Sequence, residues 1–87
     1  MIKFTLKNKS RKARTGILEL KHGIVETPTF MTVGTYGSVK SLTSSDLLDC
    51  EAQIVLCNAY HLMLRPEHDV VLKAGGLHKF MNWSNPI

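Results

Sequence analysis

The sequence predicts an α/β fold in which a small antiparallel sheet precedes a strand–helix–strand–helix–(strand) run. Three observations carry that reading. Ile2, Phe4 and Leu6 alternate with polar residues at the period of a strand. Residues 54–57 (Ile-Val-Leu-Cys) form the continuous apolar run expected of a strand covered on both faces. Helix start and stop signals flank that run: Thr43 with Asp46 three residues later, and Gly75-Gly76.

The elements follow in order. After the first strand, residues 17–20 and 24–26 read as two more, joined by a turn at Lys21-His22-Gly23 in which Gly23 can take positive φ. Residues 29–33 are a β-rich run opened by Pro28, which is tolerated where a strand begins. Gly34 and Gly37 lie in the loop that follows. Thr43 N-caps a short helix whose apolar side is Leu47, Leu48 and Cys50, with Asp46 near the favourable end of its dipole. The buried strand at 54–57 comes next. Pro66 then starts a second helix carrying Val70, Val71, Leu72 and Ala74, with Glu67 and Asp69 in its first turn. Residues 77–83 are ambiguous, Ser84-Asn85-Pro86 is a turn, and Ile87 begins a further strand. Such crossovers make parallel strands with right-handed connections.

Composition excludes several classes. An 87-residue chain buries a modest fraction of its surface, so stability is marginal without a partner. No apolar run approaches the roughly 20 residues that span a bilayer. The N-terminus lacks the apolar core of a secretory signal, and its strand-period alternation argues against a targeting helix. Cys50 and Cys57 make neither a disulfide framework nor a zinc knuckle and read as two buried thiols in a reducing cytoplasm. The glycines lack the spacing of a phosphate-cradling loop. Charge is uneven: residues 1–14 hold Lys3, Lys7, Lys9, Arg11, Lys12 and Arg14 with no acid, whereas the rest has a small acidic excess. That basic end suits a polyanion such as RNA, through phosphate contact rather than base stacking; the alternative is a solvated loop between two strands.

In parallel α/β folds the site lies beyond the C-terminal ends of the strands. Those ends here are Val33-Gly34-Thr35 and Cys57-Asn58, so two loops distant in sequence converge. Asn58 offers a donor and an acceptor to a ligand, or caps backbone groups. His61 is a candidate acid or base, or a structural hydrogen-bonding group. Leu62-Met63-Leu64 reads as core or subunit contact and Trp83 as a packing anchor. Arg65 binds phosphate or pairs with Asp69 one helical turn away. No acid stands at a strand end, and the four histidines share no metal spacing.

Several segments in register resemble one family: Lys12-Ala13-Arg14-Thr15-Gly16, Val25-Glu26-Thr27-Pro28, Val33-Gly34-Thr35-Tyr36-Gly37-Ser38-Val39-Lys40, Asn58-Ala59-Tyr60-His61-Leu62-Met63-Leu64-Arg65-Pro66, and Gly75-Gly76-Leu77-His78-Lys79-Phe80-Met81-Asn82-Trp83. The chain resembles the bacterial tRNA-guanine transglycosylases, or queuine tRNA-ribosyltransferases. The resemblance implies the N-terminal part of a (β/α)8 TIM barrel, a fold of about 250 residues. Residues 1–27 would be its antiparallel sheet and residues 28–87 its first two strand–helix units. It also implies exchange of guanine at the wobble position of a tRNA with a GUN anticodon for preQ1, through attack of an aspartate on the ribose. By the same resemblance Asn58, Val33 and Leu56 contact the substrate, and Thr35, Lys40 and Leu62 lie at a homodimer interface. The family's catalytic aspartates and zinc ligands match positions beyond Ile87, so this stretch alone is expected to be inactive, and the protein to be cytoplasmic. The alternatives are a non-catalytic tRNA-binding or subunit-interaction module, and one half of a split enzyme.

Overall fold

The computed structural model describes residues 1–87. Three strands form an antiparallel sheet in the order β1 (Lys3–Ser10), β2 (Ala13–Leu20), β3 (Gly23–Thr27). The strand predicted at Ile2, Phe4 and Leu6 forms, but Ile2 precedes it, Phe4 and Leu6 are about half exposed, and β1 runs further than those apolar residues, because cross-strand pairing with β2 carries it on to Ser10. The basic segment is therefore not a loop. Lys7, Lys9 and Arg14 lie in strands, and only Arg11 and Lys12 make the turn, with Arg11 at φ 55. The register shifts between Leu6 and Asn8, so Lys7 is the extra residue of a bulge. In the second hairpin Gly23 takes φ 139, a conformation that favours glycine.

A second sheet has two parallel strands, β4 (Thr32–Val33) and β5 (Val55–Leu56). Both are shorter than the apolar runs predict. Phe30 and Met31 stay exposed and unpaired, because Thr32 N–H to the Ile54 carbonyl and Gly34 N–H to the Leu56 carbonyl are the hydrogen bonds that tie this segment to β5. The run at 54–57 is covered on both faces at its start, where Ile54 and Val55 are buried, and on one face only at Leu56. Val55 is fully buried against Leu47 and Trp83, whereas Leu56 is 49% exposed. On the edge of β5 away from β4, the Val55 N–H donates to the carbonyl of Pro86 at 3.1 Å.

Between the strands lies α1 (Ser44–Asp49). Thr43 caps it as expected: its hydroxyl accepts from the Asp46 N–H at 3.1 Å, and the Asp46 carboxylate accepts from the Thr43 N–H at 2.8 Å. Only Leu47 of this helix is buried; Leu48 and Cys50 face solvent. The reading of Cys50 as a buried thiol is thus corrected, since it sits at the C-cap where the helix has turned away from the core.

After β5 the chain forms α2 (Ala59–Leu64), α3 (His68–Lys73) and α4 (Leu77–Met81). The sequence pattern does not predict α2, because residues 58–64 read as a loop. This helix ends at Arg65, whose φ −157 and ψ 120 are the extended geometry imposed on a residue before proline. Pro66 does not begin the next helix; α3 starts two residues later, and Gly75 and Gly76 end it at positive φ as expected. Arg65 belongs to the end of α2, so it forms no pair with Asp69, which lies beside His68 at 3.3 Å. Trp83 is the packing anchor expected: it is 2% exposed, and its Nε1–H donates to the Pro86 carbonyl at 3.0 Å.

Gln53 joins the two sheets. Its Oε1 accepts from the Glu26 N–H, and its Nε2 donates to the Glu26 carbonyl and to the Thr29 hydroxyl. A side chain in this position reads the backbone of β3 much as another strand would, and so fixes the antiparallel sheet against the start of β5.

Candidate functional site

Parallel pairing brings the C-terminal ends of β4 and β5 side by side. Val33 and Leu56 are register partners, so their side chains share one face of the sheet. They are 53% and 49% exposed, which makes an open apolar platform. Gly34 passes so close to the core that an added Cβ would stand 2.8 Å from a Val55 methyl. A larger residue there would push the two strand ends apart. The Asn58 N–H donates to the Thr35 carbonyl at 3.3 Å, tying the two loops together.

Asn58 is the N-cap of α2, with its Oδ1 accepting from the His61 N–H at 3.2 Å. The capping alternative is therefore realised, and it restricts what Asn58 can offer a ligand. Its oxygen is engaged, while the amide Nδ2 has no partner within the chain and remains a donor. The ring of His61 meets the Tyr36 hydroxyl through Nδ1 at 3.3 Å, with the two rings edge to face. The sequence pattern does not single out Tyr36. The signal that could have found it is its place in the loop after β4, facing the loop after the adjacent β5.

The structure thus groups Val33, Leu56 and Asn58, with Thr35 bonded directly behind them. Lys40 is exposed further along the β4–α1 loop. Leu62 is 7% exposed and points into the chain's own interior. Cys57 lies under the platform, where burial pushes its thiol above the ordinary range and a hydrogen bond from the Gly37 backbone opposes that rise in part. No carboxylate belongs to this group: the acids stand on β2, β3, around α1 and around α3. An apolar platform with an amide donor at its rim can hold a flat polar ligand. It carries no carboxylate nucleophile.

The largest groove, about 650 Å³, lies elsewhere, between Ser44 and Ser45 of α1, His78 and Lys79 of α4, and His22 of the β2–β3 turn. The rings of His22 and His78 stack there at 3.6 Å. Burial, then the neighbouring His22, holds His78 below its ordinary pKa, while its bond to the Asn85 carbonyl opposes the shift. The chain holds no group of three or more His, Cys, Asp or Glu side chains that could bind a metal. Cys50 and Cys57 do not approach that requirement, one being exposed on α1 and the other packed on the Met81 sulfur. No helix is long and apolar enough to cross a membrane.

Residues 9–87 match the family model described as queuine tRNA-ribosyltransferase. The chain is 58% identical over all 87 residues to the queuine tRNA-ribosyltransferase of Neisseria meningitidis serogroup C strain FAM18, and equally to that of Neisseria gonorrhoeae strain NCCP11945. To that of Herminiimonas arsenicoxydans it is 53% identical. The chain spans about a quarter of the length of these relatives: 24%, 24% and 23% respectively.

Proposed function

This chain belongs to the queuine tRNA-ribosyltransferase family, and from that membership we propose that the whole protein is a tRNA-guanine transglycosylase exchanging wobble guanine for preQ1. Residues 1–27 would form the N-terminal sheet and residues 28–87 the first two strand–helix units of a (β/α)8 barrel. The observation that supports the barrel is the open apolar pair at the C-terminal ends of β4 and β5. Leu47 and Trp83 close one face over Val55, while the other face presents Val33 and Leu56 uncovered. In a closed barrel that second face is the packed interior.

In this reading Val33 and Leu56 form an apolar wall beside the ribose, which desolvates the reacting carbon. Asn58 donates from Nδ2 to an acceptor of the substrate nucleotide. Its Oδ1 stays on the His61 N–H, so the start of α2 holds the amide in one orientation. Thr35 and Lys40 lie at a homodimer interface, and Leu62 supports that surface from beneath. The nucleophilic aspartate comes from elsewhere in the protein, and the 87 residues alone are inactive. The zinc that the resemblance implies does not fit the residues here, and none of these steps passes through it. The protein works in the cytoplasm on tRNAs with a GUN anticodon.

The test is exchange of labelled guanine into unmodified tRNA by the whole protein. Asn58→Asp keeps an oxygen for the cap but removes the amide donor. It should lower kcat/KM about tenfold, the size of one lost hydrogen bond, with the melting temperature unchanged. No exchange by the wild-type protein sinks the function. Full activity in Asn58→Asp sinks the role given to this residue, and exchange by the 87 residues alone refutes the claim that they are inactive.

A further inference from the structure

The antiparallel sheet is not of even width. The pairing of β2 with β3 covers Gly16–Leu20 only, whereas β1 and β2 continue to pair through Asn8 with Thr15, Lys9 with Arg14 and Ser10 with Ala13. Three residue pairs, about 10 Å of strand, therefore project past β3 as a two-stranded ribbon. The bulge at Lys7 stands at its base, where an extra residue increases twist and turns the ribbon away from the sheet.

The ribbon and its base carry Lys7, Lys9, Arg11, Lys12 and Arg14, all exposed, and no acid. None of the five has an ion-pair partner; the sheet's one salt bridge, Lys3 with Glu19, lies at the far end of β1. Glu26 borders the cleft beside Lys7 without pairing to it. Lys9 and Arg14 stand directly opposite one another, so both cations occupy the same face. Like charges in that relation destabilise a sheet. The other face of the ribbon is neutral, where the Asn8 amide donates to the Thr15 hydroxyl at 3.2 Å. Cations on an edge strand block edge-to-edge pairing, but a directly opposed, uncompensated pair also costs the ribbon repulsion. An external polyanion removes the repulsion.

We propose that this ribbon is an arm that binds the phosphate backbone of RNA, and that its RNA is the tRNA substrate outside the reacting nucleotide. The second half of the inference rests on the reading given under the proposed function. The arm carries no aromatic residue, so it tracks phosphates without stacking on bases and adds affinity rather than sequence choice.

The experiment measures tRNA binding by the whole protein across salt concentration, alongside steady-state exchange. Removing one cation that neutralises a phosphate reduces the salt slope by about 0.7 to 0.9. The variant Lys9→Gln/Arg11→Gln/Lys12→Gln/Arg14→Gln should reduce the slope by about 3. It should also bind tRNA at least ~10-fold more weakly and raise KM for tRNA with kcat and KM for guanine unchanged. Arg11→Gln/Lys12→Gln, at the tip beyond all strand pairing, should show about half that reduction in slope without touching the ladder. Lys9→Arg/Arg14→Lys, which keeps both charges, should behave as wild type. Exchange with an unaltered slope and KM in the fourfold variant overturns the arm and leaves the proposed function standing. Salt-dependent RNA binding that the fourfold variant loses, in a protein that exchanges no base, keeps the arm and overturns the proposed function.

Discussion

Asn58 shows how one side chain divides between structure and ligand. Its oxygen is committed to the His61 N–H at the start of α2, and only its Nδ2 donors are free. The two cysteines divide in a similar way. Cys50 lies exposed at the end of α1, while Cys57 is half-buried beneath the platform with its thiol pushed up by burial. The thiolate is the reactive form, so a raised pKa lowers its population at any given pH. Iodoacetamide at about pH 8 should therefore label Cys50 several-fold faster than Cys57, and the difference should narrow as pH rises. Peptide mass spectrometry over a time course reads both rates; equal labelling would mean that Cys57 is not covered as described.

Among the elements, α1 is the most locally specified. It has six residues and one buried side chain, too few for propensity or packing alone to hold it. The capping box between Thr43 and Asp46 supplies the rest. The Thr43 backbone N–H, and then its side chain, hold the Asp46 carboxyl below its ordinary value of 3.8. A carboxyl whose folded pKa is depressed contributes stability that is present above the unfolded value and lost as pH falls through the folded one. The melting temperature of the wild-type protein should thus drop relative to that of Asp46→Asn as pH falls from about 5 toward the folded pKa, below 3.8. Parallel acid titrations of the two would discount the box. By contrast, α3 buries no residue and leaves Leu72 at 74% exposure, so its place depends on what packs over it.

For the molecule as a whole, the buried apolar residues are Val25, Leu47, Ile54, Val55, Leu62 and Trp83; Leu47, Val55 and Trp83 form one cluster, with Val39, Ala52, Cys57, Met81 and Ile87 around it. Trp83 joins the helical layer to the chain beside β5 by filling that core and by its bond to Pro86. Trp83→Ala should cost roughly 3–5 kcal/mol, the usual range for a buried aromatic. That loss should loosen the packing of the 28–87 region and lower the melting temperature of the whole protein, as near-ultraviolet circular dichroism during heating would show. An unchanged melting temperature in the variant would place the stabilising contacts elsewhere. The uncovered face with Val33 and Leu56 is the complementary liability: open apolar sheet seeks a cover, whether the rest of the barrel or another molecule.

What the sequence by itself determined was local and familial. The cap at Thr43, the glycine stop after α3 and the second hairpin turn at Gly23 depend on hydrogen bonds and backbone freedom within a few residues, so short patterns encode them. Family membership was legible because several motifs occur in register along the whole chain. The convergence of the loops after β4 and β5 followed from the parallel strand–helix order alone. Only the tertiary structure decided how long β4 and β5 are, because a strand ends where its partner stops offering carbonyls. It also decided that Leu56 and Cys50 are exposed while Val55 is sealed, and that the basic segment is a projecting ribbon. Its pairing also tied Asn58 to Thr35 and brought Tyr36 to His61. Burial and pairing belong to neighbours distant in the chain, and an apolar residue carries no local mark of which neighbour will cover it.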